Sequence, residues 1–176
     1  MKRTLLSIGM LVLLAATLVA CGGEAPATAT PVPQPPPVEN TPVQSTSGQP
    51  EHITVQHILI GFKDAVGFQG SQMPPKAATR TQDEAKKLAY DLLAKAKAGE
   101  DFDKLVADNT DDAPPGIYSM ANNGVNPDKA AREFPRGGMV PAFGNVGFAL
   151  QVGEIGISDY DPATSPYGWH IIKRVK

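Results

Sequence analysis

Three histidines, a single cysteine and an adjacent pair of aspartates are the side chains of this 176-residue chain best suited to chemistry. His57 stands inside Ile53-Thr54-Val55-Gln56-His57-Ile58-Leu59-Ile60, and His170 inside Trp169-His170-Ile171-Ile172. Runs so rich in β-branched and aliphatic residues read as strands, which places both imidazoles within a sheet. His52 precedes the first run and reads as a surface residue. Asp111 and Asp112 follow a short amphipathic stretch, and Cys21 follows Leu18-Val19-Ala20. A metal centre or hydrolase would need ligands or a triad at recognisable spacing. His57, Asp112 and His170 could be drawn around zinc only across long separations, so no metal and no cofactor is expected.

The elements that must position these groups begin at Ile53. A long loop rich in Gly, Pro, Ser and Gln fills residues 61 to 80. Thr81-Gln82-Asp83-Glu84 has the spacing of a capping box, so a helix starts there. Ala85, Leu88, Ala89, Leu92, Leu93 and Ala96 follow on one face, up to Gly99. Asp101 caps a second helix with Phe102, Leu105 and Val106 inward, and Pro114-Pro115-Gly116 turns the chain. Residues 117 to 138 carry turn signals at Asn122-Asn123-Gly124 and Asn126-Pro127, with a short helix expected over 128 to 134. Pro141 opens another helix, in which Gly144 and Gly147 are unfavourable. Short strands are expected at Ile155 to Ile157 and at Trp169 to Val175. The order of elements gives an α+β domain with helices around an antiparallel sheet.

Composition locates the rest of the chain. Hydrophobic residues make up 41% and charged residues 19%, which suits a globular domain, but 17 prolines and 17 glycines exceed what one core accommodates. Many of the prolines fall in residues 22 to 50, including Pro31-Val32-Pro33-Gln34-Pro35-Pro36-Pro37, a segment with too little apolar surface to offset its ordering entropy. It reads as a solvated tether, which at about 3.1 Å per residue would reach roughly 90 Å. Lys2 and Arg3 followed by an apolar stretch to Ala20 read as an export signal, too short for a comfortable membrane span. Without Lys2 and Arg3 the remainder has 14 basic and 18 acidic side chains, a balance that attracts no nucleic acid.

Leu18-Val19-Ala20-Cys21 resembles the lipobox of bacterial lipoproteins, which implies lipidation of Cys21 and anchorage to a bilayer. The expected divisions are 1–20 as signal peptide, 21–50 as lipidated tether and 51–176 as the folded domain. The cell envelope is the implied location, at the outer membrane or the outer face of the cell membrane.

Three segments of 51–176 together resemble the parvulin-type (PpiC, rotamase) peptidyl-prolyl isomerases: His57-Ile58-Leu59-Ile60; the block from Leu88 through Gly99-Glu100-Asp101-Phe102 to Asp111-Asp112; and Met139-Val140-Pro141-Ala142-Phe143 with Phe148-Ala149-Leu150, Gly153-Glu154-Ile155 and Tyr167-Gly168-Trp169-His170-Ile171-Ile172. The resemblance implies an FKBP-like fold, a four-stranded antiparallel sheet with about four helices. It implies that Met139, Phe143 and Tyr118 bind the proline ring. It also implies that His57 and His170 lie side by side beneath that slot, with Asp112, Tyr167 and Ser165 completing the polar centre. The implied partners are unfolded or partly folded exported polypeptides with Xaa-Pro bonds. Lys63, Lys76 and Arg80 in the first loop are too scattered to favour phosphorylated substrates. Two departures, at 117–138 where Gly116-Ile117-Tyr118-Ser119 replaces the usual Gly-Asp-Leu-Gly, and an insertion at 156–164, leave a non-catalytic chaperone or binding module as the alternative.

Overall fold

The structure is a computed structural model and describes residues 48–176. The expected export signal, Cys21 and all but the last residues of the tether lie outside the described residues. In chain order the elements are β1 (His52–Ile60), α1 (Pro75–Ala78), α2 (Gln82–Lys97), α3 (Phe102–Asn109), β2 (Ile117–Ala121), β3 (Phe134–Pro135), α4 (Pro141–Ala149), β4 (Ile155–Ser158) and β5 (Trp169–Arg174).

The sheet order is β3-β2-β1-β5-β4. β1 lies at its centre and pairs antiparallel with β2 and with β5, while β4 pairs antiparallel with the outer side of β5. These are the four antiparallel strands expected. The sheet departs from the expectation in a fifth strand: β3, two residues long, adds to β2 in parallel, with Phe134 opposite Met120.

Because side chains alternate along a strand, β1 serves two cores. Ile58 and Ile60, with Trp169 and Ile171 of β5, pack on buried Ala85, Ala89, Leu92 and Ala96 of α2 and on Phe102, Leu105 and Val106 of α3. Ile53 and Val55, with Met120 and Ile172, pack on Phe143 and Phe148 of α4. His57 belongs to this second face. α2 begins where the capping box put it: Thr81 Oγ1 accepts from the Glu84 amide at 3.3 Å and the Thr81 amide donates to the Glu84 carboxylate at 2.8 Å. The glycines that weaken α4 as an isolated helix have a packing reason. A Cβ on Gly147 would come within 3.3 Å of Ile53 and Val55, so its absence lets the helix lie close on the sheet.

No helix forms over 128–134. The Asp128 side chain instead accepts from the amides of Ala130 and Ala131, Arg132 takes a positive φ of 55°, and Glu133 turns back to the Asp128 amide. Local side-chain bonds of this kind compete with helical ones. The first loop is also more ordered than its composition implies, holding α1 and burying Phe62, Ala65 and Phe68.

Gly116 makes the approach of the 110–118 segment to β1 possible. Its carbonyl accepts from the His57 amide at 2.9 Å, its φ is +66°, and an added Cβ would lie 2.5 Å from the His57 carbonyl oxygen. Gly116→Ala is therefore expected to reduce the unfolding free energy by about 2 kcal/mol, read from urea denaturation. A wild-type midpoint would contradict this account of the turn.

Candidate functional site

Strand register brings the two imidazoles together. His57 lies opposite Ile172 and His170 opposite Leu59, so the histidines are diagonal neighbours on one face of β1 and β5. Their Nδ1 atoms are 3.2 Å apart and both rings are buried. The next group in line is Asp112, whose Oδ2 is 3.0 Å from His57 Nε2.

Asp112 is placed by a short zipper along the end of β1. The Asp111 amide donates to the Leu59 carbonyl at 2.8 Å, and Thr110 Oγ1 accepts from the amides of Leu59 and Asp112. Asp111 is wholly buried, and its Oδ2 accepts from the Gly61 amide and from Arg80, each at 2.7 Å. Arg80 is thereby committed to the interior, and Lys76 donates to the Asp108 carbonyl.

The protonation pattern follows from these contacts. The hydrogen bond from His57 holds the Asp112 carboxyl well below the usual carboxylate range, assisted by the Tyr118 hydroxyl and the Ala113 amide and opposed by burial. Asp112 is thus an ionised acceptor, and His57 Nε2 carries the donating hydrogen. On its other side His57 shares a single hydrogen bond with His170, Nδ1 to Nδ1. Burial pushes His170 down to about 3, with the neighbouring His57 acting in the same direction, so His170 is neutral near pH 7. Its Nε2 ends the relay as a buried nitrogen without a partner among the described residues. Tyr118 donates to the same Asp112 Oδ2 at 2.7 Å, and burial followed by the Asp112 bond pushes its hydroxyl up to about 12.

His170 has a consequence for stability. As pH falls below about 6.5 the unfolded chain takes up a proton that the folded chain refuses until about 3, so stability declines across that window. In His170→Asn the plot of stability against pH between 6.5 and 4 should be shallower, by up to about 1.4 kcal/mol per pH unit. Identical slopes in urea titrations of the two proteins would refute the neutral, buried state.

Over the histidines lies a hollow of about 350 Å³. Phe143 stands edge-on to His57 and tilted over His170, at centroid distances of 5.0 and 5.4 Å. Tyr118 meets His57 at 5.3 Å and Phe143 at 5.9 Å. Met139, Leu59, Phe68 and Tyr167 also line it. A floor of paired imidazoles within an aromatic and aliphatic rim suits a small apolar ring attached to a polar amide.

The expected residues are therefore mostly gathered. His57, His170, Asp112, Met139, Phe143, Tyr118 and Tyr167 all border the hollow. Tyr167 contributes its ring, set against Phe68 at 5.3 Å. Ser165 does not join the polar centre: its hydroxyl donates to the Gly168 carbonyl at 2.8 Å and lies 3.3 Å from Ser158 Oγ, behind the hollow and unbonded to either histidine. Phe68 and Leu59 border the site without having been assigned to it from the sequence. Phe68 had a signal, as one of two aromatics in an otherwise mostly polar loop.

Of the two departures, 156–164 contributes nothing to the lining of the hollow. In 156–164, Asp161 Oδ1 accepts from Ala163, Thr164 and the Thr164 hydroxyl, Asp159 accepts from Tyr90 and Trp169, and Tyr160 packs on Phe62. The only lining residue supplied by 117–138 is Tyr118. Among the described residues no group of three or more His, Cys, Asp or Glu is arranged to hold a metal, and no helix is long and apolar enough to cross a membrane.

Comparison with known proteins agrees with this geometry. The model of the PPIC-type PPIASE domain matches residues 42–176. Foldase protein PrsA of Geobacillus kaustophilus is 32% identical over 119 residues, spanning 68% of this chain and 38% of that protein. Chaperone SurA of Pseudomonas fluorescens is 29% identical over 123 residues, spanning 70% of this chain and 22% of that protein. The chain thus covers well under half the length of these relatives. The solution structure of TbPIN1 superposes with a TM-score of 0.50 at 21% identity, covering 72% of this chain and 98% of that one, which supports the fold. With the family model spanning most of its length, the chain belongs to the PpiC-type peptidyl-prolyl isomerase, or parvulin, family.

Proposed function

We propose that this protein catalyses cis–trans isomerisation of Xaa-Pro bonds in exported polypeptides, held at the cell envelope by a lipid on Cys21 and a tether over 21–50. The observation that carries the catalytic part is the apolar slot of Met139, Phe143 and Tyr118 standing directly over the hydrogen-bonded chain of His170, His57 and Asp112.

Rotation about an Xaa-Pro amide meets a barrier of about 18 to 20 kcal/mol, and no covalent bond has to break. Catalysis requires only that the twisted amide be bound better than either planar form, each factor of ten taking about 1.4 kcal/mol. Gripping the proline ring between Met139, Phe143 and Tyr118 fixes one side of the bond while the preceding carbonyl swings. The planar amide is the more dipolar form, with negative charge on oxygen. A low-polarity hollow bordered by the Asp112 carboxylate disfavours that form relative to the twisted amide, which has lost conjugation. The two histidines act as positioning residues: the hydrogen bond from His57 keeps Asp112 ionised and oriented, and His170 braces His57. Nothing in this scheme calls for a nucleophile.

That the hollow stays clear of residues 156–164 favours turnover over a purely chaperone-like role. A chain whose refolding is limited by a prolyl bond separates the two. Substoichiometric protein should shorten the slow phase severalfold, and suppression of aggregation with an unaltered slow phase would overturn the isomerase reading in favour of a binding module. The anchor is tested separately. Labelling with a palmitate analogue should mark the wild-type chain and not Cys21→Ser; an unlabelled wild-type chain would remove the lipoprotein assignment.

A further inference from the structure

We propose that Phe134 extends the proline slot into a second, apolar subsite, one that accepts a large aliphatic or aromatic side chain adjoining the proline of the bound peptide; this rests on the prolyl-isomerase reading of the site. A single exposed apolar residue is ordinary on any protein. Phe134 is set apart by where it stands and how firmly it is held.

The residue is 47% exposed, yet its ring lies 5.9 Å from that of Tyr118, tilted by 48°. Phe143 lies 5.9 Å from Tyr118 as well. Three aromatic rings therefore adjoin in sequence, from Phe143 in the lining of the hollow, through Tyr118, to Phe134 at the open surface. Strand pairing accounts for the direction. Phe134 is opposite Met120, two residues along β2 from Tyr118, so it emerges on the face of the sheet that carries the hollow. Ile117 is also exposed, but it alternates to the opposite face and does not continue the row.

Both neighbours of β3 are pinned. The Glu133 carboxylate accepts from the Asp128 amide and contacts His52 Nδ1, each at 2.8 Å. Arg136 donates to Gln49, Asn122 and Asn145, and its guanidinium lies 4.7 Å from the Phe148 ring centroid. A ring ordered in advance gives up little entropy on contact, which suits it to binding. Pro135 has no amide hydrogen to offer an incoming strand, so this edge is poorly made for strand addition and is better read through side chains.

The test compares two peptides differing only at a residue adjoining proline, one with Phe and one with Ala, varied in turn before and after the proline. With the full chain, kcat/KM for the Phe peptide should exceed that for the Ala peptide about tenfold on one side of the proline, from the apolar area covered. In Phe134→Ala that ratio should collapse towards one. Equal preference in the wild type, or a ratio that survives the substitution, overturns the proposal. A rise in rate on every peptide would mean that other residues of this chain cover the ring, and overturns it too. Should the wild type turn over no peptide, the isomerase reading fails by itself. The subsite is then judged by NMR titration, where Phe134→Ala must weaken binding of the Phe peptide selectively.

Discussion

Asp112→Ala is expected to lower kcat/KM for a proline-containing tetrapeptide about 10- to 100-fold, the largest effect of any single change at a partly exposed position in the site. The substitution takes one acceptor from two donors, His57 Nε2 and the Tyr118 hydroxyl, which share Oδ2 at 3.0 and 2.7 Å. Hydrogen bonds to a charged partner contribute on the order of 1.5 to 3 kcal/mol each, which converts to the stated range if part of that loss falls on the transition state. His57 would also lose the contact that fixes its tautomer, and His170 would lose its orientation in turn. Tyr118→Phe separates the wall from the anchor: it keeps the ring and removes one donor, so a smaller loss, about threefold, is expected. The Asp112-dependent part of the rate should persist as pH falls through 5, where ordinary carboxyls begin to protonate, because its carboxyl is held below that range. Wild-type rates from Asp112→Ala, with a retained thermal midpoint, would remove the carboxylate from the mechanism.

Met139→Ala is expected to reduce the same kcat/KM about tenfold, through loss of the slot wall. Met139 is only partly buried against the core that contains Phe143, so trimming it removes apolar contact with the proline ring without opening a cavity inside the fold. Roughly 1 to 2 kcal/mol of apolar contact is at stake. The comparison that gives this meaning is Phe143→Ala. Phe143 is 2% exposed, so its truncation should cost about 3 to 5 kcal/mol of stability and confound the kinetics. Met139 thus reports on the slot, and Phe143 on slot and core together.

What could be read in the sequence was what is fixed locally. The start of α2 rests on Thr81 and Glu84, three residues apart, and the placement of β1 and β5 rests on β-branched runs around His57 and His170. The adjacency of the two histidines was reached only through family resemblance, since it depends on a register that joins residues 113 apart. Other features lay beyond local reading for the same reason. β3 exists because two residues of an irregular segment meet Met120 and Ala121. Arg80, one of three scattered cations in the first loop, is bound to Asp111 31 residues away. Ser165 has the residue type for the polar centre, but its hydroxyl is used closing the turn at Gly168. Residues 128–134 failed as a helix because Asp128 offered their amides a nearer acceptor.

NMR exchange spectroscopy on a tetrapeptide with one Xaa-Pro bond shows whether the hollow over His57 and His170 turns over prolyl bonds. With a few per cent of protein present, exchange cross-peaks between the cis and trans forms should grow in, and should fade with Asp112→Ala and with Met139→Ala. Cross-peaks no stronger than in free peptide, or equally strong with both variants, would contradict the account.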